Sequence, residues 1–306
     1  MAEITNLAFR RVLRKLGGVG GWFSEMLSAK AVVVEKYEKS PILWRDPEEK
    51  PFIYQIVGSD PEKMAAAAEK LLNFGADGID INMGCSFPPI IKEKAGVYLM
   101  KEPELALKVV RAVRKVNPKI LSVKMRLGWE KNERKLISFA KTLEEEGVDF
   151  ITLHPRTKDH RFTDKANWRY VKILKENLHI PVIGNGDVFS VEEARRKIKE
   201  SSADGLMIGR GAVMNPMLFR EVAEKLFSKN FNNPLPSRKE VLKEYAKELL
   251  QVYPENIALK RFKLFVSFFS QGEFWGHSLW RKVQNSSTLT EALEKVESYY
   301  SSLQLS

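Results

Sequence analysis

The chain has 306 residues, of which 44% are apolar, and it carries a formal net charge of +11. This apolar fraction is typical of a globular protein and excludes a disordered one, and no run approaches the ~18 apolar residues that a membrane span needs. The single cysteine, Cys85, excludes an internal disulfide framework and a multi-cysteine metal site. Since residues 1–6 also lack the basic and apolar regions of a signal peptide, we expect a cytoplasmic protein with no membrane partner.

Apolar side chains recur at helical spacing over residues 1–16, and Gly17-Gly18 ends this predicted helix. From there to residue 208, short apolar runs alternate with amphipathic helices. The runs lie at 19–23, 52–57, 78–82, 121–127, 150–154, 182–184 and 205–208. The helices between them lie near 61–74, 103–116, 131–146, 166–177 and 190–200.

Strands that are apolar throughout and alternate with helices indicate a parallel α/β sheet covered on both faces. A spacing of roughly 25–40 residues per unit predicts a TIM-type (β/α)8 barrel. Only seven strands are found. We expect that the first barrel strand is missing from the sequence, because a seven-stranded barrel would leave costly unpaired edges.

A Pro- and Asn-rich stretch at 231–237 ends the barrel pattern. Residues 237–306 show no strand pattern and predict four helices, at 237–252, 256–270, 277–285 and 289–304. Ser237 and Glu240 form a capping-box pattern at the first of them. We therefore expect a barrel domain over residues 1–230 and a small all-helical domain over 237–306.

The positive charge is unevenly distributed. Between residues 86 and 135 we count roughly 13 Lys and Arg against 5 Asp and Glu, directly after Cys85. One interpretation is a solvated surface rich in Lys and Glu, as thermophiles have. The other is a polyanionic partner such as a nucleic acid, which the position of the basic segment would bring to the active-site face.

The run at 78–82 leads into a glycine-containing turn that carries Asn82 and Cys85. The C-terminal ends of parallel strands are where barrel enzymes place their chemistry. A lone cysteine is most often a small buried hydrophobic residue, but its turn position and basic surroundings favour a function. A nucleophile and a general acid are both open for Cys85.

Polar side chains also end the neighbouring runs, namely Gln55, Lys124, Arg126, His154 and Arg156. Lys124 and Arg126 alternate along one strand and should share a face. Lys124 could form a Schiff base, stabilise negative charge on a reduced flavin, or belong to a structural ion pair. No partner of His154 sits at metal-ligand spacing, so we expect no metal there, and either a hydrogen bond to a cofactor or a core histidine.

Glycine-rich turns follow the last two runs, as Asn185-Gly186-Asp187 and Gly209-Arg210-Gly211. Backbone N–H groups in such turns suit a phosphate dianion, and Arg210 adds a fixed charge. The glycines could also serve only to make tight strand–helix turns. Two adjacent strands with the same feature favour phosphate binding.

Seven motifs occur in order along the chain. They are Ser24-Glu25-Met26, Gln55-Ile56-Val57-Gly58-Ser59, Asp80-Ile81-Asn82-Met83-Gly84-Cys85, Val123-Lys124-Met125-Arg126-Leu127-Gly128-Trp129, His154-Pro155-Arg156-Thr157, Asn185-Gly186-Asp187 and Ile208-Gly209-Arg210-Gly211. Each motif alone is weak. The ordered set resembles the tRNA-dihydrouridine synthases over residues 1 to about 225, and the helical C-terminal region is similar in length and character.

The resemblance implies an FMN enzyme that reduces the C5=C6 bond of particular uridines in tRNA, with NADPH as the reductant. Cys85 would be the general acid that protonates uridine C5, and residues 237–306 would help to bind the tRNA. The implied cofactor residues are Met1, Ala2, Gln55, Lys124, His154, Asn185, Gly186, Asp187, Gly209 and Arg210, and the implied substrate residues are Asn82, Arg126 and Arg156. With no oligomerisation signal in the sequence, we expect a monomer.

The chain departs from the family pattern in three places. The family opens with a strand and a Pro-Met-Ala/Gly turn at the flavin, of which only Met1-Ala2 matches here. Ser86-Phe87-Pro88-Pro89 replaces the usual proline after the cysteine, so we expect the loop to sit differently. Val97 replaces a hydroxyl, which we expect to alter base contacts or the choice of uridine.

Two other functions are open. A flavin barrel could act on a free pyrimidine, although a small substrate needs neither the helical region nor a charge of +11. A tRNA-binding module without catalytic activity is the second alternative.

Overall fold

The core of the protein is a parallel sheet of seven strands that follow one another in chain order. The computed structural model describes residues 1–160 and 164–303. The strands are β1 (Trp22–Ser28), β2 (Phe52–Val57), β3 (Gly78–Met83), β4 (Ile120–Met125), β5 (Phe150–Leu153), β6 (Val182–Asn185) and β7 (Gly205–Met207). Every residue of β2 and β3 is buried, which is why these strands read as continuous apolar runs.

Helices follow the strands and cover the outside of the sheet. In this part of the chain they are α1 (Leu7–Leu16), α2 (Ala29–Val34), α3 (Pro61–Asn73), α4 (Pro88–Lys92), α5 (Pro103–Val116), α6 (Glu133–Glu145), α7 (Arg169–Asn177), α8 (Val191–Ser201), α9 (Arg210–Met214) and α10 (Leu218–Phe227). Asp60, Asn132 and Ser190 cap α3, α6 and α8 by accepting backbone N–H bonds. Within the described ranges, none of the helices has the length and apolar character of a membrane span.

The sheet is rolled into a half-barrel. Phe23 of β1 and Phe150 of β5 meet edge to face with ring centroids 6.5 Å apart, although three strands separate them in the sheet. In the described residues β1 and β7 are not paired, and there is no eighth strand. The segment before α1 lies at this opening. Met1 contacts Gly209 after β7, and the carbonyl of Glu3 accepts a bond from Arg261, whose guanidinium group lies 4.0 Å from the carboxylate of Glu25 in β1. The predicted barrel-type fold and its seven strands are confirmed.

The prediction was wrong for the first strand, which runs over Trp22–Ser28 and not 19–23. The ladder starts where the Trp22 N–H donates to the carbonyl of Pro51 at 2.9 Å. The strand continues through Ser24 and Glu25, which are polar but buried, so the apolar pattern did not indicate it. The first helix likewise begins at Leu7, because Asn6 caps it by accepting the Phe9 N–H.

Four helices make up the C-terminal region, as predicted: α11 (Arg238–Val252), α12 (Glu255–Phe269), α13 (Gly276–Gln284) and α14 (Leu289–Leu303). Both hydrogen bonds of the capping box at Ser237 and Glu240 are present.

These helices share a core with the barrel through α1. The Phe265 ring lies 5.0 Å from Phe9 of α1 and 4.3 Å from Tyr245 of α11, measured between centroids, and all three side chains are buried. The division into domains 1–230 and 237–306 stays a prediction.

Replacing Phe265 with Ala should lower the free energy of unfolding by about 3–5 kcal/mol, because a fully buried ring is lost and leaves a cavity. Since this ring contacts α1, we expect one urea transition in which the barrel and the helices unfold together, by circular dichroism and tryptophan fluorescence. Phe274→Ala is the control, since that ring is 75% exposed and its loss should change stability by less than about 0.5 kcal/mol. Two separate transitions in the Phe265 variant, with the barrel midpoint unchanged, would contradict the shared core.

Candidate active site

A chain of hydrogen bonds runs along the C-terminal ends of β2 and β3 to the only cysteine. Gln55 Nε2 donates to Asp80 Oδ2 at 2.7 Å, and Asn82 Nδ2 donates to Gln55 Oε1 at 2.8 Å. Asn82 Oδ1 in turn accepts the backbone N–H of Cys85 at 2.8 Å. Gln55 and Asp80 are partners in the ladder, and Asn82 follows two residues after Asp80, so all three share the inner face.

The carboxylate of Asp80 sets the direction of this chain, because an ionised carboxylate only accepts hydrogen bonds. Asp80 also accepts the hydroxyl of Ser122 at 2.6 Å. Gln55 must therefore turn its nitrogen to Asp80 and its oxygen to Asn82. Asn82 then presents its own oxygen to the turn, where it binds the backbone of Cys85.

Burial raises the pKa of Asp80 from 3.8 to about 6. The hydrogen bonds from Ser122 and Gln55 and the charge of Lys124 act in the opposite direction and limit the rise. At pH 7 the carboxyl group is therefore ionised, and it serves as an acceptor to both of its partners.

Lys124 of β4 lies beside this chain, paired in the ladder with Asn82. Burial and the charge of Arg126 lower the pKa of Lys124, and the charge of Asp80 opposes them, which leaves the pKa at about 8. Its ammonium group has no hydrogen bond or ion pair with residues 1–160 or 164–303. On the next strand, its ladder partner Thr152 has a buried hydroxyl without a hydrogen bond in the described chain. A cation and a hydroxyl in this state suit an anionic or hydrogen-bonding ligand.

His154 is held as a neutral ring. Arg156 Nη1 lies 2.8 Å from His154 Nε2, and a guanidinium group only donates, so Nε2 accepts and the ring proton is on Nδ1. Burial and then the charges of Lys124 and Arg126 lower the pKa of His154 to about 2. The Nδ1–H is therefore the donor that His154 can offer to a ligand.

Asp187 connects the two glycine-rich turns. Its carboxylate binds Arg156 Nη2 at 2.7 Å and Arg210 Nη2 at 3.1 Å. Burial raises the pKa of Asp187, but the hydrogen bonds from Arg156 and the Ala166 N–H lower it by more. The neighbouring Gly186 has φ +118°, and a side chain there would lie 3.0 Å from the His154 ring, so glycine is required.

A cavity of about 700 Å³ opens beside this ion-pair cluster. Seven of its described lining residues are Lys or Arg, and three are Asp or Glu. Lys197 and the indole of Trp168 reach its base, where both donate to the carbonyl of Gly186, at 3.2 and 3.0 Å. A positively charged cavity beside two glycine-rich turns suits a phosphate group.

A family model described as "Dihydrouridine synthase (Dus)" matches residues 1–304. The chain belongs to the dihydrouridine synthase family. It is 36% identical over 275 residues to tRNA-dihydrouridine synthase B of Pasteurella multocida, covering 89% of this chain and 82% of the relative. It is 32% identical over 302 residues to tRNA-dihydrouridine synthase B of Proteus vulgaris, covering 98% of this chain and 93% of the relative.

Solved structures of other proteins share the fold of this dihydrouridine synthase family member. A complex of 2-naphthoyl-CoA reductase superposes with a TM-score of 0.56 at 12% identity, covering 72% of this chain and 46% of that one. A morphinone reductase mutant superposes with a TM-score of 0.50 at 13% identity, covering 70% of this chain and 81% of that one. At such low identity these likenesses concern the fold alone.

The remaining predicted cofactor residues are spread along the same end of the sheet. Asn185 Nδ2 donates to the carbonyl of Met207 at 2.6 Å and so ties β6 to β7. The sulfur of Met1 lies 3.7 Å from the position that a Cβ would take on Gly209. The structure thus places Met1, Asn185 and Gly209 at the same end of the sheet as the other site residues. Ala2 is exposed to solvent.

The turn that carries Cys85 is fixed from a second side. The Cys85 carbonyl accepts the N–H of Val97 at 3.0 Å, and a Cβ on Gly96 would lie 2.5 Å from that oxygen. The Val97 side chain is fully buried, and its expected effect on base contacts or on the choice of uridine stays a prediction. Of the departing residues after the cysteine, Phe87, Pro88 and Pro89 are exposed, and Phe87 has 61% of its surface exposed.

The basic segment after Cys85 is divided between two faces, and only part of it lies at the active-site face where a polyanionic partner is expected. Arg111 and Arg114 lie in the second half of α5, which runs antiparallel to the strands and ends at their N-terminal side. They form exposed ion pairs with Glu146 and Asp149.

Other basic residues lie at the catalytic end of the strands. There the ammonium groups of Lys101 and Lys158 lie 5.2 and 4.4 Å from the Trp129 ring centroid. Arg126 Nη1 donates to the carbonyl of Thr157 at 3.0 Å.

No role was predicted for Asp80, Ser122, Trp168 or Lys197 from the sequence. Asp80 and Ser122 precede Asn82 and Lys124 by two residues, so the two-residue period of a strand could have placed them on the inner face. Trp168 and Lys197 lie outside the strands, and no local pattern indicates that they approach Gly186.

Asp80→Asn should remove a pH dependence from the stability of the protein. Because the pKa of Asp80 is raised on folding to about 6, its contribution to stability is complete below about pH 4 and is lost as the pH rises through 6. The free energy of unfolding of the variant, relative to wild type, should therefore rise between pH 4 and 7 in urea titrations.

Asp60→Asn is the matched control, because the pKa of Asp60 is lowered by the Lys63 backbone N–H. Its relative stability should change with the opposite sign, falling as the pH rises through the range in which Asp60 titrates and staying constant above that range. A pH-independent difference between Asp80→Asn and wild type would show that Asp80 keeps its ordinary pKa.

Proposed function

We propose that this protein is an FMN-dependent tRNA-dihydrouridine synthase that reduces the C5=C6 bond of specific uridines, with NADPH as the source of electrons. The observation that carries the proposal is the position of the Cys85 turn. Asn82 holds this turn by its bond to the Cys85 N–H, close enough for the charges of Lys124 and Arg126 to act on the sulfur. The chain is also a member of the dihydrouridine synthase family. The relatives from Pasteurella multocida and Proteus vulgaris are named as tRNA-dihydrouridine synthases.

The residues on the inner face fit a flavin. Lys124 and the Nδ1–H of His154 offer a cation and a donor to the polar edge of the ring system, beside the buried hydroxyl of Thr152. Gln55 can offer its second amide N–H and a lone pair of its oxygen, because one N–H binds Asp80 and the oxygen accepts one bond from Asn82. The glycine-rich turns at Gly186 and Gly209 and the cations around Asp187 would hold the phosphate end.

When bound in its reduced form, the flavin supplies a hydride for C6 of the uracil ring. The Cys85 thiol donates its proton to C5, so that the π bond is replaced by two C–H bonds and the sulfur becomes a thiolate. Lys124 and Arg126 lie near enough to this sulfur to interact with its charge, and they stabilise the thiolate as it forms. Asn82 keeps the turn in place during the transfer by its bond to the Cys85 N–H.

Asn82 and Arg126 are our proposed contacts to the uridine. Arg156 is buried between His154 and Asp187, which favours a role at the cofactor end over its predicted contact with the substrate. The target base must leave the stack of the tRNA to reach these residues, because the site lies inside the curve of the sheet. The net charge of +11 favours binding of the tRNA backbone. We expect a monomer that acts in the cytoplasm, where its substrate is.

Cys85→Ala should keep the bound flavin and lose roughly 10²- to 10⁴-fold in the rate of uridine reduction, as expected when a general acid is removed. The measurement is single-turnover formation of dihydrouridine by pre-reduced protein. The control is Ser86→Ala, the next residue along the chain, which should react at close to the wild-type rate. Full activity of Cys85→Ala would remove Cys85 from the mechanism.

Lys124→Met should weaken flavin binding at neutral pH. The flavin affinity of the variant should also no longer change with pH near pH 8. Since burial lowers the pKa of Lys124 to about 8, the wild-type ammonium charge is lost as the pH rises through that value, and flavin affinity should fall with it. Titration of flavin fluorescence from pH 6.5 to 9.5 measures both effects. Lys108→Met, an exposed position on α5, should behave as wild type. If flavin affinity depends on pH in the same way in the Lys124 variant and in wild type, the proposed contact between Lys124 and the flavin is wrong.

The reaction itself is tested by mapping dihydrouridine in tRNA from cells with and without the gene. Loss of dihydrouridine at defined positions, restored by wild-type protein and not by Cys85→Ala, is the expected result. Unchanged dihydrouridine in the deletion strain would exclude tRNA as the substrate. Turnover of free uracil by the purified flavoprotein would then support the small-molecule alternative.

A further inference from the structure

Several aromatic side chains of the helical region are exposed close together. Phe274 is 75% exposed, Trp275 70% and Trp280 38%, and they lie around the start of α13. The rings of Phe274 and Trp275 are 5.4 Å apart, and so are those of His277 and Trp280. These four residues, Phe274, Trp275, His277 and Trp280, form what we call the aromatic patch.

The backbone beneath the aromatic patch is anchored on several helices. The carbonyl of Phe274 accepts the hydroxyl of Tyr299 from α14, and Glu273 accepts a bond from Arg238 Nε of α11 at 2.7 Å. At Gly276 a Cβ would lie 1.7 Å from the carbonyl oxygen of Ser270, so the loop packs directly on the end of α12. The rings are therefore presented by a rigid support, which lowers the entropy lost when a partner binds.

Trp275 adopts a backbone conformation that a bulky residue rarely takes. Its φ of 57° and ψ of 28° are in the left-handed region, where Gly and Asn are favoured. Because most of the ring is exposed, packing inside this chain does not offset the strain. Strained residues of this kind are frequent at functional positions.

The surroundings of the aromatic patch are positively charged. Arg281 and Lys282 lie in the last turn of α13, and neither has an ion pair among residues 1–160 and 164–303. Glu273 is the only acidic residue between 270 and 284, and its carboxylate is buried against Arg238. Exposed aromatic rings beside free cations suit nucleobases and their phosphates.

The aromatic patch also lies near the active-site end of the barrel. Gly272, just before it, packs against the carbonyl of Met214, and Arg238 Nη2 donates to the same carbonyl at 2.8 Å. Met214 ends α9, which begins at Arg210 directly after β7. One five-residue helix, on the order of 10 Å, therefore separates this loop from the phosphate end of the site.

We propose that the aromatic patch is a stacking platform for unpaired bases of the substrate tRNA. The proposal rests on the function inferred above. Extrusion of a uridine leaves neighbouring bases without a stacking partner, and exposed rings next to the site replace that partner. Arg281 and Lys282 would neutralise the flanking phosphates.

The test compares the affinity of variants for an unmodified tRNA transcript that the wild-type protein reduces. Trp275→Asn removes the ring and suits the left-handed backbone, so its urea midpoint should stay equal or rise while the Kd for tRNA increases roughly tenfold. Phe274→Ala should also weaken binding, and Trp275→Tyr should restore most of it. Phe227→Ala removes a ring that is 57% exposed on α10 and should leave the Kd unchanged.

The salt dependence separates stacking from phosphate contacts. The slope of log Kd against log salt should be unchanged in Trp275→Asn, whereas Lys282→Ala should lower it by about 1. Wild-type affinity in Trp275→Asn and Phe274→Ala, with a wild-type protein that binds and reduces tRNA, overturns the platform and leaves the proposed function standing.

Two further outcomes are distinct. A wild-type protein that neither binds nor reduces tRNA overturns the proposed function and the platform together. If Trp275→Asn changes the sedimentation of the protein alone and not its Kd for tRNA, the aromatic patch is a contact between copies of the chain, and the platform is overturned.

Discussion

A single buried carboxylate, that of Asp80, determines the direction of the hydrogen bonds at the active-site end of this fold. Amide side chains such as Gln55 and Asn82 can each point either way, because they carry a donor and an acceptor of nearly equal size. An acceptor at one end of the chain removes that freedom from both. The position of the Cys85 backbone therefore depends on the charge of Asp80, although Asp80 does not contact the cysteine.

The site contains two groups of charges with a neutral ring between them. One group is Asp80 with Lys124, and the other is Asp187 with Arg156 and Arg210. His154 is buried near cations of both groups. Burial and these positive charges lower the pKa of its ring, which therefore stays uncharged. The first group is thus balanced, whereas the second has an excess of one positive charge, which suits the phosphate end of a cofactor.

The sequence predicted most of the fold, because its strands are apolar and its helices are amphipathic with clear caps. The failure at β1 has a physical cause, since Ser24 and Glu25 are buried polar residues that interrupt the apolar pattern. The candidate site was predictable wherever a residue lies at the end of a strand, as Asn82, Lys124 and His154 do. The contacts of Lys197 and Trp168 with Gly186 were not, because they depend on how α7 and α8 pack against the sheet.

The division of the basic segment between two faces has a consequence for the kinetics of binding. A strand of six residues, such as β4, separates the two ends of the sheet by roughly 20 Å, which exceeds twice the Debye length at physiological salt. Arg111 and Arg114, at the far end, are too distant to contact a polyanion at the catalytic end, and their charges are partly neutralised by Glu146 and Asp149. At low ionic strength, where the Debye length reaches ~30 Å at 0.01 M, these cations contribute to the potential that brings a polyanion to the protein. They therefore affect how often the two molecules meet, whereas the lifetime and orientation of the complex depend on the residues at the opposite face.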